Sequence, residues 1–208
     1  MKKKELRETV LSFLKTELSH HGFKLNESLG EFTRNSNDGW SQFHLTFLNR
    51  DACWEINLGM LIRKNIVEDI YHRASYYEPK YHKTTPTIGI TIENYLNDDK
   101  EHRYYLNSES DLDFCITGII EDFKNIALPF FDKYQSLEAI EKAINVKSGK
   151  SIFSGVKYEG NMGIILAKLV NNPDFDYYKN HYFKYYSEKD DGFYLEEFKN
   201  ILKELDKL

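Results

Sequence analysis

The run Gln42-Phe43-His44-Leu45-Thr46-Phe47-Leu48-Asn49-Arg50-Asp51-Ala52-Cys53-Trp54-Glu55-Ile56-Asn57-Leu58-Gly59-Met60-Leu61-Ile62 decides the fold. Phe43, Leu45 and Phe47 alternate with Gln42, His44 and Thr46. Beyond Asn49-Arg50-Asp51-Ala52, the residues Trp54, Ile56, Leu58, Met60 and Ile62 alternate with Cys53, Glu55, Asn57 and Gly59. A period of two sends successive side chains to opposite faces, so the run predicts two antiparallel strands with one apolar and one polar face. Closure over Arg50-Asp51 pairs Phe47 with Trp54, Leu45 with Ile56 and Phe43 with Leu58, and on the other face His44 with Asn57 and Thr46 with Glu55. A one-residue slip would mix the faces, so turn and pattern agree on one register.

Outward from this ribbon, Phe23 to Asn26 and Glu31 to Arg34 predict a shorter hairpin, with Asn37-Asp38-Gly39 turning the chain into Trp40. Thr87 to Ile92 alternates again, and His102 to Leu106 is expected to return beside it across Asn97-Asp98-Asp99-Lys100. The total is about five or six strands, the size of one sheet. Asn65 to Ala74 predicts a short helix with Ile66 and Ile70 inward, followed by an irregular segment from Ser75 to Thr85. Before the sheet, Leu6, Val10, Phe13, Leu14 and Leu18 recur at helical spacing over Glu5 to His21, and Gly22 is the natural stop.

After Asn107 the pattern is helical. Ser108-Glu109-Ser110-Asp111 is an N-cap cluster, and Leu112, Cys115, Ile116, Ile119, Phe123 and Ile126 form a buried stripe that Pro129 is expected to interrupt. Ser136 caps a second helix through Asn145, Gly163 to Val170 belongs to a third, Pro173 opens a fourth, and Phe193 to Leu208 forms the last. The expected class is α+β in a single domain over residues 1–208. Residues 1–107 supply an N-terminal helix and a mostly antiparallel sheet, and residues 108–208 a helical layer.

With 208 residues, 41% of them hydrophobic, the chain has material for a sizeable core. A mean hydropathy of -0.60, without an apolar run near the ~18 residues that cross a bilayer, removes the membrane-helix class. The net charge of -5 repels phosphate backbones and anionic headgroups, so neither nucleic acid nor a membrane surface is an expected partner. Met1-Lys2-Lys3-Lys4 is basic like the start of a signal peptide. Glu5 and Glu8 follow it, however, without an apolar stretch, and a cytoplasmic chain is expected.

The motifs of common chemistries fail one by one. Ser148-Gly149-Lys150-Ser151 imitates the end of a phosphate-binding loop, but Ile144 stands where the first glycine is required. Asn37-Asp38-Gly39 and Asp190-Asp191-Gly192 imitate calcium loops, yet Leu45 and Phe198 occupy the position of the bidentate acid. Seven histidines form no close-spaced ligand set, Ser154-Gly155 lacks the context of a nucleophile elbow, and no cofactor is expected. Cys115 lies on an apolar stripe and predicts an inert core thiol, whereas Cys53 at the hairpin end is less enclosed.

Two surfaces remain. On the polar face of the sheet Gln42, His44, Glu55 and Asn57 form a candidate ligand or partner site, with Thr87, Thr91 and Glu93 on a third strand, and His44 with Glu55 as an acid/base pair if they converge. The second is Tyr76-Tyr77-Glu78-Pro79-Lys80-Tyr81-His82-Lys83, where Tyr76, Tyr77, Tyr81 and His82 offer contact area with little entropy to lose. The stripe Phe175, Tyr178, Tyr182 and Tyr185 reads as packing between helices.

Several short strings resemble those of bacterial families catalogued only as domains of unknown function. They are His21-Gly22-Phe23, Trp54-Glu55-Ile56-Asn57, Ile66-Val67-Glu68-Asp69-Ile70 and Pro129-Phe130-Phe131. The resemblance implies a cytoplasmic, non-enzymatic role, of which an immunity partner of a toxin is one form, and it supplies no site residues. The expected function is a protein-interaction module, acidic and suited to a basic partner. The alternatives are an enzyme or small-ligand binder using the polar sheet face, and an oligomer surface in the helical half.

Overall fold

The computed structural model describes residues 1–148, 150–153 and 156–208, with the backbone alone for 156–159 and 190. Gly149 and Ser154-Gly155, which belong to the phosphate-loop and elbow readings, lie outside the described residues. In chain order the elements are α1 (Lys3–Ser19), β1 (Lys24–Asn26), β2 (Glu31–Ser36), β3 (Gly39–Asn49), β4 (Trp54–Lys64), α2 (Asn65–Ala74), β5 (Ile88–Thr91), α3 (Ile92–Leu96), β6 (Arg103–Leu106), α4 (Leu112–Asp122), a π turn (Phe123–Ala127), α5 (Leu128–Lys133), α6 (Leu137–Ile144), α7 (Val156–Leu169), α8 (Phe175–Glu188) and α9 (Leu195–Leu205). The class is α+β: an N-terminal helix, a six-stranded, mostly antiparallel sheet and a helical C-terminal half. Among the described residues no helix is long and apolar enough to cross a membrane.

The chain divides into two compact units. The first unit contains Met1–Ile62 and Gly89–Lys133, the second Arg63–Ile88 and Tyr134–Leu208.

In the first unit α1 buries Leu6, Val10, Leu11, Leu14 and Leu18. Gly22, at φ +81°, stops it as expected, and the Phe23 N–H turns back to the Leu18 carbonyl at 3.2 Å. The strands follow the order β1-β2-β3-β4-β5, with β6 also paired to β4. Phe32 faces Phe43, and Glu31 faces His44, across β2 and β3. Phe43, Leu45, Ile56, Leu58, Met60 and Ile62 are all buried, so the period-two reading holds.

The hairpin register differs from the expected one. The Arg50 N–H reaches the Cys53 carbonyl at 3.0 Å, and Gly59 lies beside His44. Both pairs of numbers sum to 103 rather than 101, so the turn closes over Asp51-Ala52. A shift of two preserves the faces, which explains why alternation alone could not detect it.

A second difference concerns β6. Instead of returning beside β5 it pairs with the start of β4, Trp54 to Leu106 and Asn57 to Arg103, while Gly89 of β5 lies against Leu61 further along. The two strands share one edge of β4 because the chain between them coils into α3. That helix is started by Thr91, whose Oγ1 accepts the Asn94 N–H at 3.2 Å.

Pro129 does not break the α4 helix. The chain passes through the π turn into α5, with the Leu128 N–H on the Phe123 carbonyl, five residues back. Widening the turn just before a residue that has no N–H lets the helix continue past it. It also moves the buried stripe from Ile126 to Ala127. Phe123 sits at the centre of the apolar layer, 5.2 Å from Phe23 and 5.3 Å from Phe43 between ring centroids.

In the second unit α2 packs against α7 and α9. It buries Val67, Ile70 and Tyr71, whereas Ile66 is half exposed rather than inward. The buried face is rotated because Glu68 and His72 also point inside. On α8 the packing stripe is Tyr178, Tyr182 and Tyr186, with Tyr186 in the place expected for Tyr185.

Candidate functional site

The polar sheet face belongs to the first unit, and its groups are mostly committed to one another. Gln42 Nε2 donates to Thr33 Oγ1 at 3.1 Å. Glu55 is only 5% exposed despite facing away from the apolar layer. Arg50 donates to its Oε2 at 2.8 Å, while Arg103 and Asn57 each donate to Oε1 at 3.3 Å. Arg103 also grips both oxygens of Glu93, at 3.0 and 2.5 Å. The guanidinium donors of Arg50 and Arg103 hold the Glu55 and Glu93 carboxyls below the usual range.

His44 stands apart from this network. Burial lowers its pKa, while Glu31 and the Leu29 carbonyl act the other way. On β4 its neighbour is Gly59, four residues beyond Glu55, which at ~3.3 Å per residue is about 13 Å along the strand. The acid/base pair is therefore not brought together. Thr87 and Thr91 also leave this face: Thr87 is buried in the second unit, and Thr91 caps α3.

The aromatic loop belongs to the second unit, and sequence reasoning missed what anchors it. Glu68 is fully buried. Its carboxylate accepts from Thr85 Oγ1 at 2.6 Å and Thr87 Oγ1 at 3.0 Å, and faces Arg63 at 3.6 Å and His72 at 3.4 Å. Arg63 in turn donates to the Thr85 carbonyl at 2.7 Å, fixing the end of the loop. The His72 ring stacks on His82 at 4.1 Å and meets Tyr77 edge-on at 5.7 Å, and His82 Nε2 lies 2.8 Å from the Tyr77 carbonyl. At the start of the loop the Tyr76 N–H donates to buried Glu197 at 3.2 Å. Glu197 also takes hydrogen bonds from Tyr71 and Asn161.

Of the four nominated loop residues, Tyr77 and His82 are therefore inner supports. Tyr76, 67% exposed, and Tyr81, 46% exposed, are the outward groups. Lys80 lies 4.8 Å from the Tyr81 ring centroid. The only hint of this arrangement in the sequence was the i,i+4 spacing of Glu68 and His72, which puts both on one face of α2.

A groove of about 430 Å³ in the first unit, lined by Arg7, Glu8, Leu11, Ser12, Glu27 and Ser28, was also not foreseen. Arg7 there is tied to the Glu27 carbonyl at 2.8 Å and lies over the Phe47 ring. Among the described residues no three His, Cys, Asp or Glu side chains are grouped to hold a metal ion. Family models, curated proteins and solved structures give no match to this chain, so no site residue is carried over from a relative.

Proposed function

We propose that this chain is a cytoplasmic protein-interaction module that presents Tyr76 and Tyr81 as anchors to a protein partner. The observation that carries the reading is the contrast within one short loop. Its two outward rings are exposed, while the backbone and inner rings beneath them are pinned by Glu197, His72 and Arg63. A tyrosine held on a fixed backbone loses little entropy on docking, which is how a few aromatic side chains come to dominate an interface. The net charge of -5 favours a basic partner, by steering the encounter more than by tightening the final complex. An immunity-type neutraliser of a basic effector is one form of this role, in keeping with the resemblance to bacterial domains of unknown function.

The test is capture from an extract of the source cells, with the wild-type chain and with Tyr76→Ala/Tyr81→Ala as bait. A protein retained by the wild type, released by salt and about tenfold weaker on the double variant supports the reading. Equal retention by both baits, or no retained protein at any salt concentration, removes it.

A further inference from the structure

At the end of α2, the polar chain that begins at Glu68 continues outward to a hydroxyl. His72 Nδ1 lies 3.0 Å from Ser75 Oγ, and His72 Nε2 lies 2.6 Å from Thr85 Oγ1. Counting protons settles the direction of these bonds. Thr85 has one hydroxyl proton and donates it to Glu68 Oε2 at 2.6 Å, so toward Arg63 Nη1 at 3.1 Å and toward His72 it only accepts. His72 Nε2 therefore carries a hydrogen. In the neutral imidazole Nδ1 is then a bare acceptor, and Ser75 donates to it.

We propose that Ser75 is a nucleophile that takes acyl groups from small activated esters, with His72 as its general base. Thr85 and Glu68 are positioning residues that fix the imidazole tautomer. The logic is that of a serine–histidine–carboxylate relay, with the two ring nitrogens exchanging roles and a threonine hydroxyl relaying to the acid. Ser75 is half-buried, just beyond the end of α2, and directly precedes exposed Tyr76.

In the first half-reaction Ser75 Oγ bonds to the ester carbonyl carbon while its proton passes to His72 Nδ1. The carbon–oxygen bond to the leaving alcohol then breaks, and that alcohol takes the proton from His72. Water repeats the sequence, losing its proton to His72 and releasing the acid, and Ser75 recovers its proton. This activity is independent of partner binding through Tyr76 and Tyr81.

The full chain is treated with a fluorophosphonate probe, and separately with p-nitrophenyl acetate, and the adduct is located by peptide mass mapping. The expected result is a single adduct on Ser75, absent in Ser75→Ala and formed about a hundredfold more slowly in His72→Gln. If His72→Gln fails to fold, Thr85 supplies the second comparison: Thr85→Ser keeps the wild-type labelling rate, and Thr85→Val slows it about tenfold. The absence of an adduct on Ser75 overturns the proposal, as does labelling at the wild-type rate in either His72→Gln or Thr85→Val.

Discussion

Arg50, the main donor to Glu55, and Arg103, which grips Glu93 and also reaches Glu55, together make the outer face of the sheet sensitive to acid. Both carboxyls titrate below their ordinary value of 4.5 in the folded chain. The folded state therefore binds their protons less readily than the unfolded state. The stabilisation is complete above that ordinary value and is lost as pH falls through the depressed folded values. Thermal unfolding between about pH 6 and pH 3 should show a steep fall in melting temperature for the wild type and a shallower one for Arg103→Ala. A second residue-scale prediction concerns the thiols. Burial pushes the Cys115 thiol up to about 11, and Cys115 is fully enclosed, whereas Cys53 is half-buried. Ellman's reagent should titrate Cys53 alone in the native chain and both thiols after denaturation. The burial of Cys115 was legible from its place on an apolar stripe. The enclosure of Glu55 was not, because alternation tells which face a side chain takes and not which long cations will lie across it.

At the scale of elements, α2 carries more than its length suggests. Removing the Glu68 carboxylate leaves Arg63 uncompensated in a buried site and two threonine hydroxyls without their acceptor. Glu68→Ala should cost about 3–5 kcal/mol in urea unfolding. On α4, Gly118 has no room for a side chain, since a Cβ there would lie 2.5 Å from the Tyr104 ring. That ring cannot swing away cheaply, because its hydroxyl donates to Asp122 at 2.7 Å. Gly118→Ala should therefore lose about 1–3 kcal/mol, measured in the same way. The bounds of α2 are readable from periodicity, yet hydropathy, which ranks isoleucine above glutamate, points Ile66 inward. The buried network overrides that ranking once each polar atom finds a partner. Pro129 misled for a related reason: a missing N–H breaks an α-helix only when its turns keep their usual width.

For the molecule as a whole, the α+β class and the inward turn of the central ribbon followed from alternation, and the long helical half from its capping and spacing. The placement of β6 did not. Only the helical fate of Ile92 to Leu96 diverts that strand to β4, and five residues are too short a stretch to show a period. The aromatic loop could be nominated from composition, but its pinning to Glu197 spans more than a hundred positions and leaves no local pattern. The division into two units makes its own prediction. In native-state hydrogen exchange, the amides of α2 should open together with those of α7 and α9, and not with β3, despite following β4 directly in the chain. Uniform exchange of α2 with the β3–β4 ribbon would contradict it.

Both units are discontinuous, and this bears on how the chain is made. A ribosome has delivered everything the first unit needs once Lys133 has emerged, whereas Arg63–Ile88 must wait for α9. During synthesis Val67, Ile70 and Tyr71 are thus nascent apolar surface without their packing partners. That interval is when chaperones or proteases would meet it.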